Sequence, residues 1–342
     1  MTTLATTRRS VLAGIGAAST LPFLPRRARA ATPLNLGVLR LTSHAPNYIA
    51  YERGYFAEEG FEVELVFFEA AQPMAVAIAS GDADFGVTAI SGGLVSLAQR
   101  GAVKVIGGAL AEEPGIPGQV VLASNQAYDS GLTTAAALPG HTFGITTAGS
   151  SFHYMLSRVA RGEGFDIAQV EMRPLQKVGT IVAALGSGQI DSWAIVPSIS
   201  NRLLAEGQAK KIADMSQYAP DYQVTTVFTS SAIANDDRAR AEAFLRALSR
   251  GVNDYNAAFV DKTANAEEQA ELAALVGQYV SPDVPAERFL ETMTTTSMRI
   301  NRDLGLSVSS VRDQLDWFKA EGMVPADVTE EMLIDPSFVA TF

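Results

Sequence analysis

The segment Met74–Thr88, MAVAIASGDADFGVT, recurs as Ile181–Ile195, IVAALGSGQIDSWAI, at an offset of 107 residues. Each copy reads as an apolar helix, a Ser-Gly stop, an Asp and a buried strand. Ser80-Gly81 falls on Ser187-Gly188 and Asp84 on Asp191. At the same offset Gly37-Val38 falls on Gly144-Ile145, and Phe67-Phe68 on Pro174-Leu175. Duplication of a strand–helix–strand unit predicts two similar α/β halves.

The pattern has physical content. A helix lying flat on a sheet must stop abruptly and reverse, and Gly past its last turn supplies the left-handed conformation that the reversal needs. Asp84 and Asp191 are read as structural, their short carboxylates bonding nearby backbone N–H groups. The strands Phe85–Thr88 and Trp193–Val196 run out into Ala89-Ile90-Ser91-Gly92 and Pro197-Ser198. In open α/β sheets, ligands bind at that end of the strands.

The first 30 residues carry Thr7-Arg8-Arg9-Ser10-Val11-Leu12, an apolar run from Val11 to Leu24, and Ala28-Arg29-Ala30. A twin-arginine pattern, a short apolar centre and small residues at a cleavage position predict an export signal over residues 1–30 and a periplasmic destination. That signal holds five Arg and no acid, so the remainder carries 21 basic against 37 acidic side chains, a net −16. Such a surface repels nucleic acid and anionic membrane, which are excluded as partners. The chain has no Cys despite the oxidising compartment, so its core must hold it together. With 342 residues and 47% hydrophobic content, two domains of ordinary size can bury their cores.

Strands and helices alternate along the remainder, which predicts parallel sheets. The expected strands include Leu34–Leu39, Glu62–Phe68, Val103–Gly108, Val120–Ala123, Thr142–Thr146 and Val170–Leu175. The chain is expected to cross between lobes near Ser124 and return near Val224–Phe228. Residues 31–124 and 224–342 then form lobe 1, and residues 125–223 form lobe 2. From Asn235 the apolar period becomes helical: Phe244, Leu245, Leu248, Val252, Tyr255 and Phe259 share a face, with Asn235 or Asp236 as cap. Further helices are expected at Glu267–Tyr279, Ala286–Thr294 and Ser309–Glu321, on the outside of lobe 1.

Loops that follow a strand and open a helix offer unpaired N–H groups at the positive end of a dipole, suited to an anion. Two matching pairs occur: Thr42-Ser43-His44 with Gly149-Ser150-Ser151, and Ala70-Ala71-Gln72 with Lys177-Val178-Gly179. Facing sheets would aim all four into one cleft. The stretches SHAPNYIAYERGYFAEEGFEVELV, SGDADFG, GSSFHYML and SGQIDSW together resemble the periplasmic solute-binding proteins of ABC importers for nitrate, sulfonates, taurine and thiamine-pyrimidine precursors. The resemblance runs from Leu34 to Phe259. It implies a type II periplasmic-binding fold: two α/β lobes joined by two crossing strands, a ligand cleft between them, closure on binding, and delivery to an inner-membrane permease by a monomer without membrane insertion. By matching position it implies contacts from Ser43, His44, Asn47, Ala71, Gln72, Thr88 and Ser91 of lobe 1. From lobe 2 it implies Thr147, Ser150, Ser151, His153, Lys177, Trp193 and Pro197.

The ligand is expected to be a small organic anion, a sulfonate or carboxylate, with an apolar or aromatic body stacked on Trp193 or Phe68. Taurine fits less well, because Ala89-Ile90-Ser91 stands where sulfonate and taurine members of the family tend to carry an Asp. Alternatives are a thiamine-pyrimidine precursor or nitrate, a periplasmic sensor subunit, or a pyrimidine-precursor synthase. No cofactor, metal site or catalytic constellation is expected, and the chain is read as a non-enzyme. Each contact has a plainer alternative: His44 and His153 as satisfied helix-start histidines, Trp193 as core, Lys177 as a solvated loop residue. Glu112 and Glu113 either close the cleft or lie in an exposed loop. Replacing Trp193 by Ala is expected to weaken binding and leave the fold intact.

Overall fold

In the computed structural model, which describes residues 1–2 and 31–342, two five-stranded sheets repeat one strand order. The export signal and its cleavage position lie outside the described residues. Lobe 1 begins β1 (Thr32–Leu39), α1 (Ala45–Glu52), α2 (Tyr55–Glu58), β2 (Phe61–Phe68), α3 (Ala71–Ser80), β3 (Phe85–Thr88), α4 (Gly92–Gln99) and β4 (Val103–Gly108). Lobe 2 follows as β5 (Val120–Ser124), α5 (Asn125–Asp129), β6 (Thr142–Ile145), α6 (Ser151–Glu163), β7 (Glu171–Pro174), α7 (Val178–Gly186), β8 (Ser192–Ile195), α8 (Pro197–Ala205) and β9 (Ala209–Asp214). The chain returns to lobe 1 through β10 (Thr226–Ser230), α9 (Ser231–Asp236) and α10 (Arg238–Tyr255). It ends in α11 (Ala266–Val280), α12 (Ala286–Thr296), α13 (Val308–Ala320) and α14 (Glu330–Leu333).

The sheets run β2-β1-β3-β10-β4 and β7-β6-β8-β5-β9. In each, the fourth strand is antiparallel and enters by a crossing: β10 pairs with β3 and β4, β5 with β8 and β9. The first crossing therefore precedes β5, and Ser124 is a strand residue of lobe 2 rather than the boundary. The apolar run Val120–Ala123 fits either sheet equally well by composition, so the sequence carried no mark of which one it joins.

The repeat is realised atom by atom. Asp84 Oδ2 accepts the Asn35 N–H at 2.7 Å, and Asp191 Oδ2 accepts the Thr142 N–H at 2.8 Å. Each carboxylate thus pins the strand beside its own rather than a local turn. Gly81 and Gly188 adopt φ of 86° and 74°, the left-handed stop the reversal requires. A Cβ on Gly144 would lie 2.6 Å from Ile190 and 2.8 Å from Ile181, and one on Gly37 would lie 3.0 Å from Met74. The bare backbone there lets α3 and α7 press onto their sheets. On the far side of lobe 1, Phe244 stacks between Phe56 and Phe85 at 5.3 and 4.0 Å. The side chain that caps α10 is Asp237, whose carboxylate accepts the Arg240 N–H, because α9 continues through Asn235 and Asp236.

Between the lobes, residues 109–112 lie against residues 222–225 on one side and 299–301 on the other. Glu112 sits here, buried, and is not part of an exposed loop. Its Oε1 accepts the Gln119 backbone N–H at 2.9 Å, while its Oε2, the Tyr222 hydroxyl and the Gln119 side-chain Oε1 have no hydrogen-bond partner. Burial chiefly, with Asp214 adding to it and the Gln119 N–H opposing it, pushes the carboxyl from an ordinary 4.5 up to about 7. A raised folded-state value means that this group favours the fold fully below about pH 4.5, and that its contribution is lost as pH rises through about 7. Glu112→Gln should therefore gain on the native protein by roughly 3 kcal/mol between those limits. Urea midpoints measured across that range check it, and parallel pH profiles for the two proteins would contradict it.

Candidate functional site

The facing strand ends meet. Gly92, at the start of α4, donates its N–H to the Gly149 carbonyl at 3.0 Å, and Thr42 Oγ1 donates to Ser198 Oγ at 2.8 Å. On the hinge side α13, whose Val311, Leu315 and Phe318 pack into lobe 1 with Ile90 and Leu94, reaches lobe 2. There Asp313 accepts the Tyr154 hydroxyl at 2.5 Å and pairs with Arg158 at 3.1 Å, and Trp317 lies edge-on to His153 at 5.1 Å.

These contacts border two regions. The inner one gathers the helix starts. His44 Nδ1 accepts the Leu39 N–H and His153 Nδ1 accepts the Gly149 N–H, so the proton of each imidazole sits on Nε2. Burial pushes their pKa values down to about 3 and about 4, so both rings are neutral. His153 Nε2, Ser150 Oγ and Asn47 Oδ1 are buried without a hydrogen-bond partner. Unpaired buried polar groups are costly, and these three lie in the first turns of helices that start at the facing strand ends. Ser43 and Thr88 are also buried here, and Thr147 and Ser151 are partly so. Ser91 and Gln72 are already engaged: Ser91 Oγ caps α4 by accepting the Leu94 N–H and donates to Gln72 Oε1 at 3.1 Å.

The outer region is a cavity of about 950 Å³. Lobe 1 lines it with Arg40, Thr42 and Phe68, and lobe 2 with Val178, Gly179 and the face of α8 from Ser198 to Glu206. Its third wall is the turn after α11 together with α12, so α12 is not simply on the outside of lobe 1. No sequence signal marked α12 or α8 beyond Ser198 as lining, because only the tertiary fold brings them round the opening, whereas the place of Arg40 at the end of the first strand puts it near the cleft from sequence alone. Arg40 donates to the Tyr279 carbonyl at 2.7 Å and lies 3.9 Å over the Phe67 ring. Of the residues expected as ligand contacts, Phe68 alone lines this cavity, joined by Thr42, Val178, Gly179 and Ser198 from the expected loops, with Ala71, Lys177 and Pro197 next to or near lining residues. Lys177 is exposed as the cap residue of α7.

Trp193 is wholly enclosed in lobe 2, where it packs on Phe152 at 5.4 Å. Its replacement by Ala is therefore not a clean binding test, contrary to the sequence expectation that the fold would be untouched. Removing so large a buried ring should cost about 3–5 kcal/mol. A denaturant midpoint close to the native one for Trp193→Ala would contradict the enclosure.

Residues 41–258 match the family described as NMT1/THI5 like. The Escherichia coli periplasmic aliphatic sulphonate-binding protein SsuA superposes with a TM-score of 0.65 at 20% identity, covering 90% of this chain and 92% of that one. The periplasmic nitrate-binding protein NrtA of Synechocystis superposes at 0.70 and 15% identity, covering 91% and 88%. A DszB mutant in complex with biphenyl-2-sulfinic acid reaches 0.53 at 15% identity, covering 90% and 97%. No curated protein matches the sequence significantly. With two repeated lobes, two crossings and a family match over more than half its length, the chain belongs to the NMT1/THI5-like family and has the type II periplasmic-binding-protein fold.

Proposed function

We propose that this protein is the periplasmic substrate-binding component of an ABC importer, which captures a small organic anion between its lobes by hinge closure and hands it unaltered to the permease. The cavity carries this reading. Its volume of about 950 Å³ lies at the upper end of the range that encloses drug-sized organic ligands, far more than nitrate needs. Phe68, Val178, Ile199 and Val284 offer an apolar bed, and Arg40, Arg202 and Arg288 bring positive charge. That SsuA is described as sulphonate-binding, and that a protein of this fold is described with an aromatic sulfinic acid, supports an arene or alkyl oxyanion.

In this reading Ser43, His44, Asn47, Ala71, Gln72, Thr88 and Ser91 form the lobe 1 face of the closing site. Thr147, Ser150, Ser151, His153, Lys177, Trp193 and Pro197 form or back the lobe 2 face. The neutral imidazoles act as Nε2–H donors, and helix starts add about 0.3–1 kcal/mol each. A second reading, a heteroaromatic such as a thiamine-pyrimidine precursor, is favoured by Glu69, Glu206, Asp283 and Glu291, four carboxylates lining the same cavity as the three guanidiniums.

A thermal-shift screen of the purified protein against arene and alkyl sulfonates, aromatic carboxylates, pyrimidines and nitrate tests both readings. A cognate ligand at a hundredfold excess over its Kd should add about 2.7 kcal/mol of stability. It should be recovered chemically unchanged by mass spectrometry. Stabilisation by nitrate alone, or turnover of the bound compound, would overturn the proposal.

A further inference from the structure

The third wall of the cavity carries charge that the rest of the molecule leaves unused. Arg288, Glu291, Thr292 and Thr295 recur at helical spacing along α12 and line the cavity, where the more buried Phe289 and Thr296 also reach its wall, while Met293 is buried behind them. Phe289 is seated against the backbone of Gly277 in α11, where a Cβ would lie 3.2 Å from its ring. That contact seats α12 against α11. Across the opening α8, which packs against α12, presents Ser198, Arg202 and Ala205 at the same spacing.

Neither the Arg288 nor the Arg202 guanidinium has a hydrogen-bond or ion-pair partner among the described residues, although Glu291 and Glu206 follow about one turn later in sequence. Elsewhere most arginines pair with a carboxylate, as Arg53, Arg158, Arg240, Arg246, Arg299 and Arg312 do. In a chain with so large an excess of acid, two facing guanidiniums left free at a cavity are available to an incoming anion. Beside Arg288, Val284 and Pro285 line the cavity, and Val284 is 40% exposed. This wall also lies beyond residue 258, where the family match ends.

We infer that α12 and the turn before it form the specificity wall of the cleft. Arg288, facing Arg202 of α8, takes the oxyanion of a bulky amphipathic sulfonate or carboxylate, and Val284, Pro285 and Phe68 hold its apolar body. The inference rests on the proposed binding role of the cleft and assigns that role a ligand orientation. The acceptor groups on a sulfonate or carboxylate suit guanidinium donors, whereas an uncharged molecule of the same shape gains nothing from them.

Two fluorescent probes with the same rings separate charge from shape: 8-anilinonaphthalene-1-sulfonate and N-phenyl-1-naphthylamine, titrated against the full-length protein and its variants. Arg288→Ala should weaken the sulfonate at least tenfold and leave the uncharged amine unchanged. Val284→Asp should weaken both. Arg161→Ala, at another arginine without an ion pair but on α6 away from the cavity, should alter neither. Gly179→Trp serves as a plug, since Gly179 lines the cavity and a Cβ there meets nothing within 4 Å. It should abolish binding of both probes.

If Gly179→Trp abolishes binding while Arg288→Ala leaves the ratio of the two affinities at its native value, the assignment to α12 is overturned and the cleft remains the binding site. If Gly179→Trp leaves both probes bound, or if the native protein binds neither, both the assignment and the binding role of the cleft fail.

Discussion

The antiparallel fourth strand in each sheet is the constraint from which the architecture follows. β10 and β5 are both supplied from the other lobe's side of the chain, so the two connections between lobes must run side by side. A pair of adjacent strands resists twisting more than a single linker would, and leaves bending as the available motion. The same arrangement points the C-terminal ends of β1 and β3 at those of β6 and β8, the place where open α/β sheets bind ligands. Asp84 and Asp191 tie β3 to β1 and β8 to β6 at the opposite, N-terminal ends of these strands.

Two kinds of wall then meet at the cleft. Inner contacts are polar and tight: neutral histidines fixed by backbone N–H groups, a carbonyl–amide bridge between Gly149 and Gly92, and buried oxygens and nitrogens without partners. Outer ones are roomy and mixed, with guanidiniums set among aliphatic and aromatic side chains. Small polar groups decide orientation, and the larger apolar area supplies affinity. Bound to such a site, a ligand of about 8 kcal/mol, or micromolar Kd, needs no covalent chemistry.

Much of this was legible in the residues. The offset that aligns Gly81 with Gly188 and Asp84 with Asp191 announced two halves, and the helical stripe from Phe244 to Phe259 announced the packing of α10. What stayed hidden was tertiary. Val120–Ala123 is apolar enough for either sheet, so its composition leaves open that the crossing comes before it rather than after. Glu112, beside Pro114 and Gly115, reads as loop, yet three chain segments close over it. Trp193, at a strand end, reads as a contact, and only the packing of Phe152 shows it enclosed. α12 is a plain amphipathic helix in sequence. Its polar face becomes a cavity wall because α8, nearly a hundred residues earlier, lies opposite.

The central claim is that the two lobes come together around a bound molecule and hold it. Because the chain has no cysteine, a single engineered pair tests this cleanly. Thr42 and Ser198 approach to 2.8 Å across the opening, so Thr42→Cys with Ser198→Cys should form a disulfide that locks the lobes. Release of 8-anilinonaphthalene-1-sulfonate, loaded before oxidation, should be slowed greatly in the oxidised protein and restored on reduction. Equal release rates in the two redox states, or failure of the pair to oxidise, would contradict the account.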